Sequence, residues 1–277
     1  VNWPCKNSLQ LLPRRLIAAL LVSWVIRPAC KYASMVYYYL IILWMLSLMQ
    51  KKITASFNKS AKRYDKYAFL QRYVADILFD KLSMLQDDFS SIIDIGCGTG
   101  YLTEKLEKNQ RLVALDMAIE MCKIVKCDQV VCGQATALPF IDHDFDLVIS
   151  NLMIQWLFDS IDEFFLESLR VLQPKGMLLL SSFGPDTLQE LHSVTQEVSG
   201  KAHVNQQLDM HIIGDKLRQA GFVDVVMDRI PLQVEYSFVK DLLTDLRGVG
   251  ANLVNSEVGA SFNKSDYQKI IDLYTSQ

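Results

Sequence analysis

The stretch "SIIDIGCGTG", residues 91–100, decides how the chain is read. Ser91–Ile95 is a short run with isoleucines on both faces, which is the mark of a strand buried on both sides. Three glycines in five residues then follow, at Gly96, Gly98 and Gly100. Glycine accepts positive φ and lets backbone or ligand approach closely. A helical pattern over Thr99–Lys108 comes next. Strand, glycine loop and helix in that order describe either a tight structural turn or a loop whose backbone N–H groups face a ligand at a helix start.

Working outward, short apolar runs alternate with helical patterns. Strands are expected at Arg111–Asp116, Gln129–Cys132, Phe145–Asn151 and Met177–Phe183, with helices at Met117–Val125 and Ile161–Leu172. This alternation predicts an α/β fold: a parallel sheet with helices on both faces. Pro174–Lys175–Gly176 is expected to be the turn that starts the fifth strand. Ahead of the core, Phe57–Leu85 carries Tyr64, Tyr67, Leu70, Val74, Ile77, Leu78 and Leu82 at helical spacing, which predicts one or two amphipathic helices. Behind it come a helix at Asp209–Ala220 closed by Gly221, a strand pair at Val223–Tyr236, and helices at Val239–Leu246 and Ser265–Tyr274. With no strand pattern after Tyr236, the final antiparallel strand of such a sheet is expected to be missing.

Ligands of an open parallel sheet bind beyond the carboxyl ends of its strands, where the strand order reverses. Two details bear on which ligand. The glycines are spaced two and two, whereas the dinucleotide fingerprint is spaced two and three. Asp116 closes the second strand, placed to accept both hydroxyls of a ribose. Acids at Asp94 and Asp116 disfavour a pyrophosphate but suit S-adenosyl-L-methionine, which has no phosphate and carries a sulfonium cation. Asp116 alone has a plainer reading, as a cap for the following helix.

The series "IIDIGCGTG", "LVALDMAIEM", "GQATALPF", "FDLVISN" and "VLQPKGMLLL", spanning Ile92–Leu180, resembles the Rossmann-like class I S-adenosyl-L-methionine-dependent methyltransferases. The resemblance implies that Asp94, Gly96, Gly98 and Gly100 hold the methionine part of the cofactor, Asp116 its ribose and Met117 one adenine face. Gln134 and Ala135 would reach the adenine edge, and Asn151 would complete the set. Gln134 departs from the pattern, since an Asp is common there; its amide oxygen can still accept from the adenine amine.

Three further stretches, "ASFNKSAKRYDKYAFLQRYVADIL" (55–78), "SNLMIQWLFD…SSFGPDTLQEL" (150–191) and "VKDLLTDLRGVGAN" (239–252), together resemble the malonyl-[acyl carrier protein] O-methyltransferases of biotin synthesis. These enzymes mask the free malonyl carboxylate as a methyl ester. The resemblance implies an enzyme acting on a malonyl thioester, with an acyl carrier protein as partner. A carboxylate is ionised at neutral pH, so the reaction needs alignment rather than a general base. An arginine can orient it through two parallel hydrogen bonds. Arg247 in "LRGVG" is the first candidate and Tyr64 its hydroxyl partner, with Arg63 and Arg72 behind them. The plainer readings are a solvated helix-end arginine, a core tyrosine and, for Trp156, a core tryptophan. His143 in "IDHDFD" reads as surface.

A methyltransferase for another small acceptor, such as a quinone-pathway intermediate, shares every cofactor motif. So does a non-catalytic assembly protein that keeps the fold. The two are separable by acceptor assay and by titration with S-adenosylhomocysteine.

The chain has 277 residues and a net charge of −3, but its charge is unevenly placed. Residues 1–50 hold no Asp or Glu, five basic residues and three of the four tryptophans; the rest carries 23 lysines and arginines against 31 acids. An acidic domain argues against nucleic acid as partner. Tyr32–Met49 is 18 uncharged residues, just long enough for a membrane span. It is read either as an anchor or, since the chain opens on Val and Met49 directly precedes the domain, as sequence outside the natural protein. The expected organisation is an apolar extension over 1–48 and a methyltransferase domain over 49–277, with a helical lid at 55–86, a core at about 91–236 and an acceptor-side segment at 237–277. A cytoplasmic place is expected for that domain. Cys122, Cys127 and Cys132 recur every five residues, which is neither a zinc spacing nor a disulfide framework, so no metal is expected. Lys51, Lys52, Lys59, Lys62 and Arg63, with Lys240, form the densest basic cluster and a candidate docking face for an acidic carrier protein.

Overall fold

The computed structural model describes residues 47–85, 88–106, 110–200, 204–251 and 264–276. The chain divides into two compact units, Val1–Gln50 and Lys51–Gln277. Of the first unit only residues 47–50 are described, and they are helical. The anchor-like stretch Tyr32–Met49 therefore lies almost wholly outside the described residues. Among those residues no helix is long and apolar enough to cross a membrane.

The second unit opens with helical residues 51–60 (α1), a 3₁₀ turn at Ala61–Arg63, and then α2 (Tyr64–Tyr67) and α3 (Phe69–Met84). The sheet follows: β1 (Ser91–Ile95), β2 (Arg111–Asp116), β3 (Gln129–Cys132), β4 (Phe145–Asn151) and β5 (Leu172–Ser181). Helices α4 (Tyr101–Leu106), α5 (Ile119–Cys122) and α6 (Ile161–Val171) connect the strands. Behind them lie α7 (Gln189–Ser199), α8 (Met210–Ala220), α9 (Val239–Gly248) and α10 (Lys264–Ser276).

The strands are all parallel, in the order β3-β2-β1-β4-β5. The order reverses between β1 and β4, and the two are paired through Asp94↔Ile149. Side chains alternate between two cores, as the two-residue strand period requires. Ile93, Ile95, Val113, Leu115 and Val148 pack against α6 and α8 through Phe164, Phe165, Ile213 and Leu217. Ile92, Leu112, Leu147 and Ile149 pack against α3 and α4 through Ala75, Leu78, Leu82, Leu102 and Leu106. Both faces are covered, which is why these strands read as unbroken apolar runs.

Two expectations are corrected. Val223–Tyr236 is not a strand pair: no residue in it is assigned to a strand. Asp224 sits at φ 54° in the left-handed region, and Pro231 has no N–H for a ladder. Val223 and Val226 are 82% and 88% exposed, so their β-branched character meets no neighbouring strand to bury it. Val225 and Met227 pack the segment against the core, flanked by exposed ion pairs from Lys81 to Asp228 at 2.5 Å and Arg229 to Asp186 at 2.7 Å. The second correction is that Pro174–Lys175–Gly176 lies within β5, which starts directly at the end of α6. Lys175 takes φ 70°, and the β4–β5 register shifts between Phe145 and Leu147. The turn chemistry produces an irregularity in the strand rather than a stop before it.

Candidate active site

The glycine loop leaves β1 and folds over the end of β2. The N–H groups of Gly96 and Cys97 both donate to the Leu115 carbonyl, at 2.8 and 3.1 Å. Gly96, Gly98 and Gly100 have φ of 76°, 58° and 91°. A Cβ on Gly96 would stand 2.4 Å from Met153 Cγ, and one on Gly100 3.0 Å from Val125 Cγ1. Those two glycines are required by packing as well as by conformation. Around Gly98 a Cβ would meet nothing within 4 Å, so the loop presents this residue to open space.

Two carboxylates hold the loop. Asp94 is 1% exposed and its Oδ2 accepts from Thr103 Oγ1 at 2.6 Å. Burial pushes its pKa up to about 7 against the lowering effect of that hydrogen bond. Asp116, at the end of β2, accepts from Gly98 N through Oδ2 at 2.9 Å and from Ala118 N through Oδ1 at 2.7 Å. Ala118 is the N-cap residue of α5, so the helix-start role of Asp116 is real. Burial raises its pKa while the backbone donors oppose the rise. Each carboxylate oxygen has a second lone pair, so these bonds leave acceptors for a ligand.

The loop, the lid and β4 line a cleft that is open to solvent. Asp94, Gly96, Cys97, Gly98 and Thr99 line it from the loop. Opposite them stand Ala68, Gln71, Arg72 and Ala75 of α3 and its N-cap, a single stripe at i, i+3, i+4 and i+7. Tyr64 and Asp65 of α2 close one side, and Thr99 Oγ1 donates to Asp65 Oδ1 at 2.7 Å, tying loop to lid. Tyr64 is half-buried with Phe57 against Ala61, Ala118 and Met121, and burial with Asp116 and Asp65 nearby raises its phenol pKa, so the hydroxyl remains protonated. Asn151, at the end of β4, donates from Nδ2 to the Gln71 carbonyl at 3.0 Å and accepts from Ser181 Oγ at 2.8 Å.

The structure thus brings Tyr64, Asp94, Gly96, Gly98 and Asn151 to one cleft, with Asp116 bonded to its floor and Gly100 behind the loop. Met117 follows Asp116 and is half-buried. Gln134 and Ala135 lie past the end of β3, where Gln134 is exposed and bridged to Ala137; they do not line this cleft. Sequence reasoning passed over Asp65, Gln71 and Thr99. The one signal was the small and polar stripe 68, 71, 72, 75 interrupting an amphipathic pattern. A ring of carboxylates about a glycine loop opposes a pyrophosphate and accepts a cationic, phosphate-free ligand, so these residues fit S-adenosyl-L-methionine.

Residues 93–180 match the Methyltransferase domain family. A malonyl-[acyl-carrier protein] O-methyltransferase of Coxiella burnetii is 37% identical over 229 residues, 81% of this chain and 80% of that protein. The biotin biosynthesis bifunctional protein BioHC of Cellvibrio japonicus is 34% identical over 212 residues, 74% of this chain and 42% of that protein. The chain belongs to the malonyl-[acyl-carrier protein] O-methyltransferase family. At the level of fold, the YcgJ protein of Bacillus subtilis superposes with a TM-score of 0.52 at 15% identity, covering 72% of this chain and 83% of that one.

In this O-methyltransferase family member, the end of α9 and the segment after it pack on the lid. Gly248 sits against Tyr67, where a Cβ would fall 2.2 Å from the ring Cγ. Ser56 Oγ donates to the Gly250 carbonyl at 2.9 Å, and Arg63 Nη2 to the Arg247 carbonyl at 3.1 Å. "LRGVG" is therefore built onto the lid. The Arg247 side chain is exposed at the end of α9 and is not among the cleft-lining residues. Trp156 meets Phe57 edge to face, ring centroids 5.3 Å apart, joining the loop after β4 to the lid. His143 is exposed, as expected, with Nδ1 2.8 Å from the Leu172 carbonyl.

Proposed function

We propose that the chain methylates the free carboxylate of a malonyl group carried on an acyl carrier protein, in the early steps of biotin synthesis. The observation that carries this reading is the extent of the family match: four-fifths of both chains, which is more than the cofactor core alone spans. S-adenosyl-L-methionine supplies an electrophilic methyl group on a sulfonium. Asp94 and the glycine loop are placed for its methionine part, Asp116 for its ribose. Asn151 braces the lid over the loop. The lid helices and Trp156 exclude water, and the Tyr64 hydroxyl is a protonated donor for an acceptor oxygen. No general base is needed, because a malonyl carboxylate is already ionised. Alignment and dehydration are the task.

Arg247 is the proposed partner of the acceptor carboxylate. Its guanidinium makes no hydrogen bond or ion pair with a described residue and is free to engage one. Lys51, Lys52 and Lys59 on α1 and Lys62 and Arg63 in the turn after it are all exposed, as docking an acidic carrier requires. A cytoplasmic location accords with this reading. The test is methyl transfer to malonyl-carrier protein by variants at Arg247 and by a lysine double variant. Arg247→Ala should lose about 2 kcal/mol in kcat/KM, with Arg247→Lys intermediate, because a point charge lacks the two-pronged geometry. Lys59→Glu/Lys62→Glu should raise KM for the carrier substrate and leave S-adenosylhomocysteine affinity unchanged. Wild-type turnover in all of these variants would remove these residues from the acceptor side.

A further inference from the structure

The three cysteines spaced five apart in the chain are not equivalent in the fold. β3 pairs with β2 so that Cys132 stands opposite Asp116. From α5, Cys122 Sγ donates to the Asp116 carbonyl at 3.4 Å and lies 3.8 Å from the carbonyl of Val131, the residue before Cys132. Cys132 Sγ donates to the Met117 carbonyl at 3.7 Å. The two thiols flank one turn, Asp116–Met117, and stand within hydrogen-bonding reach of each other. Cys127 turns away: its thiol bonds the Leu112 carbonyl, near the opposite end of β2.

Exposure separates their roles. Cys132 is exposed, while Cys122 and Cys97 are buried. Burial, then the Asp116 charge, pushes the Cys122 thiol pKa up to about 12, so an oxidant in solution meets Cys132 first. The turn between them carries the acid proposed for the ribose. The Asp116 carbonyl also accepts from Gly133 N at 3.0 Å, and its carboxylate from Ala118 N at 2.7 Å. The end of β3 and the start of α5 are both tied to this one residue.

We propose that Cys132 and Cys122 form a reversible disulfide, made by a hydroperoxide and undone by a dithiol, that weakens cofactor binding through Asp116. The Cys132 sulfur first attacks the peroxide: an S–O bond forms, the O–O bond breaks and water leaves, giving a sulfenic acid. The Cys122 sulfur then attacks that sulfur. The S–S bond forms, the S–O bond breaks, and the departing hydroxide takes the Cys122 proton away as water. The peroxide is reduced by two electrons and the thiol pair is oxidised by two. Bonded sulfurs stand only about 2.05 Å apart, so closure draws α5 and the end of β3 together. It also removes both thiol donors from the Asp116 and Met117 carbonyls. The link to cofactor affinity rests on S-adenosyl-L-methionine being the cofactor.

The experiment treats the full chain with hydrogen peroxide, blocks the remaining thiols, maps linked peptides by mass and fragmentation, and titrates S-adenosylhomocysteine by calorimetry. Expected is a peptide pair joined from Cys122 to Cys132, lighter by two hydrogens than its reduced parts. S-adenosylhomocysteine should bind roughly tenfold more weakly, as on loss of one charge-assisted contact. Dithiothreitol should restore both mass and affinity. Cys132→Ser, a change at an exposed site, should bind like the reduced wild type and no longer respond to peroxide. Cys127→Ser should respond as the wild type does. Linkage to Cys97 or Cys127, a bond between two chains, or Cys132 carried on to sulfinic acid without pairing would overturn the proposal. So would equal S-adenosylhomocysteine affinity in the oxidised and reduced protein. Reduced wild type that failed to bind S-adenosylhomocysteine would refute the cofactor reading and with it this coupling, while the peptide map would still decide the disulfide.

Discussion

At the scale of single residues, the two aspartates of the loop do different work because their surroundings differ. Asp116 is the branch point: it fixes Gly98, starts α5 and retains lone pairs for a ribose. Asp116→Ala should weaken S-adenosylhomocysteine by about 1.5–3 kcal/mol, measured by titration, since a charged acceptor and a loop support go together. Unchanged affinity in a folded variant would leave only the helix-start role. Asp94 is buried with its pKa near 7, above the usual carboxylate value of 3.8. The folded state therefore holds a proton that the unfolded state has released over roughly pH 4 to 7. Stability from this group is complete below the unfolded value and is lost as pH rises through the folded one. Relative to Asp94→Asn, the ligand-free protein should lose up to about 1.4 kcal/mol per pH unit in that window, and the difference should level off above it. Urea unfolding of both proteins across pH 4–8 measures this; parallel curves would contradict the buried-acid account.

At the scale of elements, the lid is fastened by contacts that only small residues permit. Gly248 lies against Tyr67, and Gly250, at φ 80°, would place a Cβ 2.8 Å from Ser60 Oγ. Gly248→Ala should cost about 1–3 kcal/mol in unfolding free energy through overpacking, with part of the loss recovered when Tyr67 is also shortened. Additive effects in that double-mutant cycle would show that the two elements are not coupled. How far such features are legible follows from what fixes them. Ser91–Ile95, Arg111–Asp116, Gln129–Cys132 and Phe145–Asn151 match their strands residue for residue; in the three inner ones burial leaves an unambiguous apolar run, and in the edge strand β3 the paired valines carry the signal. Helix ends near the loop were read too long: Met117–Val125 shrinks to Ile119–Cys122, since Asp116 draws Met117 and Ala118 into the turn. Val223–Tyr236 failed for another reason. β-propensity reports fit to a paired, half-buried surface, and here Val223 and Val226 stay exposed in a segment that joins no strand, although β5 is an edge.

At the scale of the whole molecule, the glycine loop and its two aspartates were legible, while the residues facing them and the acceptor side were legible only in outline. Glycines and aspartates of the loop act through local backbone geometry, which the sequence spacing encodes directly. Asp65 of α2 and Gln71 and Arg72 of α3 line the cleft from helices well before the loop in the chain, and no local pattern marks which side of those helices faces it. Arg247 illustrates the limit: its motif is specific, yet its guanidinium lies outside the cleft, and the packing of Gly248 on Tyr67 accounts for part of what the motif encodes. The family match makes the enzyme class plain, and the acceptor is what remains to be measured on this chain. The most direct measurement is transfer of a labelled methyl group from S-adenosyl-L-methionine to malonyl-carrier protein, with acetyl-carrier protein, which lacks the free carboxylate, as the control. Labelling of a base-labile methyl ester on the malonyl form alone is the result predicted. No transfer to the malonyl form by protein that binds S-adenosylhomocysteine, or equal labelling of both carriers, would contradict it.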